Sequence, residues 1–447
     1  MTRSGPDAPV HIVVQNGEHW MRNIGDLAML TVTLGRVRER WPDAVVHVMT
    51  SAPTLLQAYH RDVRPISDGR LPRVLAEPLA AAGSRLGPGV AGFASVASLR
   101  AREDLRAVVR RLRGRPERAP YAEPADAGEP DGTGPDISTR PAVAAALREA
   151  SLVLAIGGGY MNDVDPWQFH RTLDLLSYGV RHGIPTAMVG QGLGPLTDPA
   201  LRERAAAVLP GVDVIALRED RVGPDLLAGL GVPTGRIVVS GDDAIELAYG
   251  VRQDAPGTAL GVCLRVAGYS PVGARAQEAV GRAVRAVAGG FAARLAPLVI
   301  SEQGGEDRRS TLPLVAPYPD VAPVQGRFTT PEDVARRVGR CRVVVTGAYH
   351  LAVFALAQGI PVVGLSSSRY YDDKLLGLTA MFGGEGLELV RLDDSELEGR
   401  VASAARAAWE RAPELRSGLR ERASAQIELG RAAYERVFSL VDGAPIP

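Results

Sequence analysis

Short β-branched runs that end in glycine turns and alternate with helix-period segments run through this chain from residue 10 to about residue 395. That alternation predicts parallel, doubly wound sheets. Residues 10–14 (VHIVV) read as a buried strand. A helix follows from about Leu27, with Leu30, Leu34, Val37 and Trp41 on one stripe and Asp26 as its expected N-cap. Residues 44–49 are the next strand and 54–60 the next helical segment. The pattern resumes at LVLAIGGG, a strand entering a glycine turn, with a helix over 167–182. PTAMVGQGLGP is a second strand and glycine turn, and VDVIALRED and RIVVSGDDA are further strand ends. A polar, proline-containing stretch near 250–257 marks a domain boundary, and TALGVCLRV opens a second α/β unit with APLVISEQ, RVVVTG and PVVGLSSS as its later strands. With 447 residues there is chain enough for two cores. The expected fold class is therefore α/β, two Rossmann-like domains with an interdomain cleft: an N-terminal domain over 1–250, a C-terminal domain over 251–395 and terminal helices over 396–447.

One stretch breaks the rhythm. Residues 114–141 are dense in Pro, Gly and acidic side chains and have almost nothing to bury, so a mobile insertion is expected there. The basic helical segment before it, 98–113, reads as a solvated face.

Charge and cysteine usage exclude several classes of function. Lys plus Arg is 51 and Asp plus Glu is 51, a balance that argues against nucleic-acid binding. No apolar run reaches the length of a membrane span, and residues 1–10 lack the apolar core of a signal peptide, so a cytoplasmic location is expected. Cys263 and Cys341 are far apart and have no metal-spaced partners, so neither a disulfide nor a zinc site is indicated and no metal is expected. The basic residues include a single lysine, Lys374. An ammonium is not equivalent to a guanidinium, so Lys374 stands either where a planar fork does not fit or there by codon chance.

Ligands of open α/β sheets bind beyond the carboxyl ends of the strands, so the loops there are the candidate sites. Asn23, Gly25 and Asp26 precede a helix, and read either as a capped start or as an anion-binding one. Gly157, Gly158 and Gly159 directly follow a strand and can form an N–H-lined nest or a plain tight turn; Asp163 just beyond is a carboxylate for general-base work or for a sugar hydroxyl. The segment Gly190–Pro195, with Gln191 inside it, superficially offers a dinucleotide fingerprint but lacks the acidic residue that would follow. Arg218 grips an anion or pairs with Glu219 and Asp220 beside it, and the turn at Asp242 and Asp243 reads as mostly structural. His350 stands at the start of an apolar helix beside a strand end, in position to exchange protons with an anionic ligand. The next strand end delivers Ser366 and Ser367, then Tyr371 and Lys374.

Taken in order, Asn23-Gly25-Asp26, Gly157–Gly159, Gly190–Pro195, Arg218-Glu219, Asp242 to Ala244, and His350 through the YYDDK ending at Lys374 resemble the polysaccharide pyruvyl transferase family over nearly the whole chain. The resemblance implies a GT-B-like fold with the site between the lobes. It implies a transferase that moves a pyruvyl group from phosphoenolpyruvate, a co-substrate rather than a bound cofactor, to a saccharide or glycosylated acceptor. The product would be a pyruvate ketal, with His350 as acid/base and Arg218 as a ligand for the donor's anionic groups. The chain departs from the family at one position: Ala348 stands two residues before His350, where the family often has a donor-binding arginine. A GT-B-type glycosyltransferase, or another transferase using a nucleotide-activated donor, is the alternative that Ala348 favours. The expected partners are a small anionic donor and a saccharide-type acceptor, and the oligomeric state is unreadable.

Overall fold

A computed structural model of the chain describes residues 9–17, 21–66, 87–92, 136–266, 271–302 and 307–443. The basic segment at 98–113 and all but the end of the 114–141 stretch lie outside them.

Two parallel sheets divide the chain. The first contains β1 (His11–Gln15), β2 (Val45–Met49), β3 (Arg64–Ile66), β4 (Leu152–Ala155), β5 (Gly158–Met161), β6 (Thr186–Leu193), β7 (Val214–Leu217) and β8 (Ile237–Val239). Its order is β3-β2-β1-β4-β6-β7-β8, with β5 paired to β6 off that path. The second contains β9 (Ala259–Cys263), β10 (Leu295–Pro297), β11 (Cys341–Thr346), β12 (Val362–Ser366) and β13 (Leu387–Arg391), in the order β10-β9-β11-β12-β13. β4 and β9 are buried at every residue, as apolar strands covered on both faces must be. The fold is α/β and GT-B-like.

Strand order reverses between β1 and β4 in one sheet and between β9 and β11 in the other. Such switch points leave a crevice beyond the carboxyl ends of the strands. The segment after β1 reaches the other lobe directly: the Ile24 N–H donates to the Ile300 carbonyl at 2.8 Å, the Glu302 N–H to the Arg22 carbonyl at 3.0 Å, and Asn23 bridges Ser301. The helix Leu397–Asp442 ties the lobes a second time. It packs on Ala274–Gly290 in the C-terminal lobe, and its Tyr434 hydroxyl lies 2.7 Å from Thr33 Oγ1 in the N-terminal lobe. It is one continuous helix through Pro413.

Four local readings are corrected. The first helix, Ile24–Arg40, begins before Leu27, and its N-cap is Asn23, whose Oδ1 accepts the Gly25 N–H at 3.0 Å, not Asp26. The apolar stripe alone misses a first turn that is held by the other lobe. Gly158 and Gly159 lie in a short strand rather than a turn, and β6 runs through Gly190 and Gln191 instead of stopping there. Gly190 permits this: its φ is +58°, and the register shifts between Met188 and Gln191. Finally, β13 completes the second sheet with a segment whose half-exposed pattern carries little strand signal.

Candidate active site in the interlobe cleft

The second lobe supplies the imidazole. The helix Tyr349–Ala357 is apolar on all sides and buried throughout, so packing rather than capping fixes its position. Its N-cap Ala348 has no side chain to cap with, and His350, in the first turn, faces the other lobe. A Cβ on Gly25 would lie 2.1 Å from the His350 ring, so only glycine lets the first turn of Ile24–Arg40 meet that ring. His350 Nε2 has no hydrogen-bond partner, and Asp242 Oδ2 lies 3.8 Å from it. Burial pushes the His350 pKa down to about 4; Asp242 opposes that shift, and the Arg218 and Lys374 charges add to it. In the free site His350 is therefore a neutral ring at pH 7.

The first lobe supplies the buried cation. Arg218, at the end of β7, is 3% exposed. Its guanidinium lies 4.2 Å from the centre of the Tyr349 ring and 3.5 Å from Asp242 Oδ2. Asp242, at the end of the adjacent strand β8, also accepts the Ala244 N–H at 2.9 Å, at the start of the next helix. The turn that reads as mostly structural in the sequence thus joins Arg218 and His350 across the cleft through Asp242.

Lys374 arrives from the helix Arg369–Met381, which Ser368 caps by accepting the Tyr371 N–H. Its ammonium lies 3.9 Å from the centre of the Tyr370 ring and 5.6 Å from that of Tyr371. Tyr370 in turn donates to the Gly159 carbonyl at 2.9 Å. A Cβ on Gly159 would be 2.7 Å from Lys374 Nζ and 3.2 Å from an Arg218 nitrogen, so both cations converge on this glycine. No carboxylate pairs with Lys374 among the described residues, and burial together with Arg218 drives its pKa well down.

Asp26 completes the group. Burial raises its carboxyl pKa to about 7, against the pull of Arg218 and Lys374. Arg265, just beyond β9, acts electrostatically on both Asp26 and Lys374 and pairs with Asp307 at 3.0 Å. The Arg265 backbone nitrogen lies 3.3 Å from where a Cβ on Gly347 would be, which puts this arginine beside the strand end that carries Ala348.

The remaining candidates have structural partners. Gly157 lets β4 pass β6, since a Cβ there would lie 2.5 Å from Met29 Sδ and 2.9 Å from the Gly190 carbonyl; at Gly158 it would strike the Tyr160 ring at 2.5 Å. Gln191 is fully buried and donates to the Ile156 carbonyl at 2.6 Å and the Tyr160 hydroxyl at 2.9 Å. Ser366 Oγ donates to the Ser368 carbonyl at 3.0 Å, while Ser367 keeps part of its surface open. Asp163 holds the turn after β6: its carboxylate accepts from Thr197 N and Oγ1, each at 2.7 Å, and from Asp198 N at 3.2 Å. Glu219 caps the helix Gly223–Gly229 rather than pairing with Arg218, accepting the Arg221 N–H at 2.7 Å and the Gly223 N–H at 3.3 Å. Tyr349, Tyr370 and Arg265 have no individual sequence signal. The pairing of β7 with β8 is what brings Asp242 to Arg218.

A sequence profile described as "Polysaccharide pyruvyl transferase" matches residues 23–369. No curated protein matches at a significant level. Solved structures share the fold at low identity. A Listeria monocytogenes protein assigned as a UDP-N-acetylglucosamine 2-epimerase superposes with a TM-score of 0.57 at 12% identity, covering 98% of each chain. The UDP-GlcNAc 2-epimerase of Neisseria meningitidis, bound to UDP-GlcNAc, gives 0.54 at 10% identity over 97% of this chain and 100% of its own. A glycosyltransferase of Rickettsia africae gives 0.51 at 9% identity over 97% and 99%. At such identities the likeness establishes the architecture alone.

Proposed function

This chain belongs to the polysaccharide pyruvyl transferase family, and from that premise we propose that it transfers a pyruvyl group from phosphoenolpyruvate to two hydroxyls of a saccharide or glycosylated acceptor. The observation that carries this reading is the convergence of a neutral, unpartnered imidazole and two cations, the deeply buried Arg218 and the half-buried Lys374, on one gap floored by Gly25 and Gly159. Arg218 and Lys374 suit the phosphate and carboxylate of a compact, multiply charged donor, and Arg265 supplies a third cation near the position where Ala348 removes the family's arginine.

His350 delivers a proton to the donor's methylene carbon, and positive charge develops at C2. An acceptor hydroxyl attacks C2 and gives up its proton. A second hydroxyl then displaces inorganic phosphate and closes the ketal, its proton returning to His350. A free-site pKa of about 4 leaves His350 without that proton at pH 7. A bound dianion reverses the sign of the local field and raises the pKa of His350, so donor binding itself loads the acid. Asp26, poised at about 7 in the field of Arg218 and Lys374, takes the acceptor's proton. Asp163 is occupied in its turn, and Asp26 replaces it in this role.

Phosphoenolpyruvate should raise the Tm, as a ligand specific to the folded state must. The shift should disappear in Lys374→Met and Arg218→Ala, and UDP-sugars should leave the Tm unchanged. Stabilisation by UDP-sugars alone would instead establish the nucleotide-donor alternative. Calorimetry of phosphoenolpyruvate binding near pH 7 should show net proton uptake, measured as a dependence of the heat on buffer ionisation enthalpy. His350→Gln should reduce that uptake, and uptake unaffected by this variant rejects the loading of His350 by donor.

A further inference from the structure

A second cluster of ligating side chains lies in the first sheet, away from the carboxyl-end crevice. His11 opens β1 and His47 is central in β2. The parallel register pairs Val13 with His47, and His11 is two residues before Val13, so both imidazoles share one face of the sheet. Their ring centres are 5.8 Å apart. Glu149, the last residue of the helix Pro141–Glu149, reaches down to them and places Oε2 3.4 Å from His11 Nδ1. One ligating atom from each residue lies within 4.8 Å of the other two, and no other such cluster of His, Cys, Asp or Glu occurs among the described residues.

One nitrogen of each ring lacks a hydrogen bond. His11 Nδ1 and His47 Nε2 are both shielded from solvent and make no hydrogen bond. Burying two polar atoms without a hydrogen bond is costly; Glu149 meets only His11 Nδ1, at 3.4 Å, and a single ion between the rings would satisfy both nitrogens. From this geometry we propose that His11, His47 and Glu149 bind a zinc-type divalent cation. Two imidazoles and a carboxylate are a donor set such an ion accepts, with a fourth position left for water. Tetrahedral bonds of about 2.0–2.1 Å put neighbouring donors about 3.3 Å apart, which the His11–Glu149 separation already meets. Glu149 is 62% exposed in its side chain and free to close the remaining distance.

The ion would pin β1, β2 and Pro141–Glu149 at the point where the chain re-enters the sheet. Backbone bonds already hold the strand there: Ser151 N–H donates to the His11 carbonyl at 2.7 Å, and Ser151 Oγ accepts the His11 N–H at 3.3 Å. Arg64 on β3 pairs in register with His47 and is the cation facing the site; being exposed, it can swing toward water.

The test uses the full chain stripped with a chelator and titrated with Zn²⁺, and with Co²⁺ as an optical probe. The expected result is one equivalent of bound Zn²⁺, a Tm that rises with free Zn²⁺, and a Co²⁺ absorption band of tetrahedral intensity. His47→Gln and Glu149→Gln should each weaken binding by at least about tenfold, while His350→Gln should leave it unchanged. Glu149→Gln decides the matter even if the histidine variant misfolds, because Glu149 is largely exposed and its replacement leaves the sheet intact. Equal Zn²⁺ affinity in the wild type and Glu149→Gln, or the absence of a stoichiometric site, overturns the proposal and leaves His11 and Glu149 as an ordinary ion pair.

Discussion

Two glycines show how differently a single methyl group would act in this cleft. At Gly159 the added Cβ meets the far end of Lys374, a flexible side chain that can move aside. Gly159→Ala should therefore cost less than about 1 kcal/mol of stability. It should still displace the ammonium, raising KM for the donor while the denaturant midpoint hardly moves. At Gly25 the Cβ meets the His350 ring at 2.1 Å, and that ring sits on a helix with no room to retreat. Gly25→Ala should cost about 1–3 kcal/mol by overpacking and abolish turnover, read from denaturant melts and phosphate release. Asp26 gives a pH signature. Its pKa rises from 3.8 in the unfolded chain to about 7 in the folded one. The folded state thus binds its proton more tightly, and stability falls as pH rises from about 4 through 7. Asp26→Asn removes that penalty and should stabilise the protein at pH 8 by about 2–4 kcal/mol while eliminating transfer. If Asp26→Asn is no more stable than the wild type at pH 8, the carboxylate is not the enclosed, proton-binding group described above.

Among the elements, the helix Tyr349–Ala357 bears most directly on the site. It has no side-chain cap at its start, and every residue in it is buried. Its position depends on packing against the helix Ala244–Gly250 and the terminal helix, so a cavity there propagates to His350. Phe354→Ala should lose about 3–5 kcal/mol and lower kcat, because Phe354 stands one helical turn from His350; repacking with Phe354→Leu should recover most of both. The terminal helix makes a second structural contribution. Tyr434 links Thr33 at 2.7 Å to Asp243 at 3.1 Å, and Arg36 binds Glu246 at 3.0 Å through Nε alongside it. Asp243 follows Asp242 directly, so this network braces the turn that pairs with Arg218.

For the molecule as a whole, one apolar cluster is common to both lobes, beside a separate cluster in each. A single buried cluster contains Ile12 and Leu30 from the first lobe, Val344 and Phe354 from the second, and Leu419 and Val437 from the terminal helix. Backbone hydrogen bonds also cross between Ile24 and Ile300. Calorimetry should accordingly give one cooperative unfolding transition instead of two, and a chain ending before Leu397 should lose that transition, since the terminal helix covers both lobes. Among the described residues no helix is long and apolar enough to cross a membrane.

Periodicity and turn chemistry were enough to determine two parallel α/β units, because burial on both faces of a sheet forces continuous apolar strands and glycine ends. The same local signals put Arg218 at a strand end and His350 at a helix start, and singled out Lys374, which lies in the second turn of the helix Arg369–Met381. They misplaced the first helix cap and read Gly190 as the end of a strand, because those outcomes depend on a hydrogen bond from the other lobe and on a register shift against a neighbour. Tertiary structure alone decided that the carboxylate nearest the imidazole is Asp242, 3.8 Å from His350 Nε2. Along the chain Asp163 reads as the general base and Asp26 as a helix cap, but Asp163 is consumed by the Thr197 turn and Asp26 lies in the field of Arg218 and Lys374. Local sequence sets what each segment prefers to form; which charges share a low-dielectric gap depends on how distant segments pack, and the pKa values that chemistry requires arise only there.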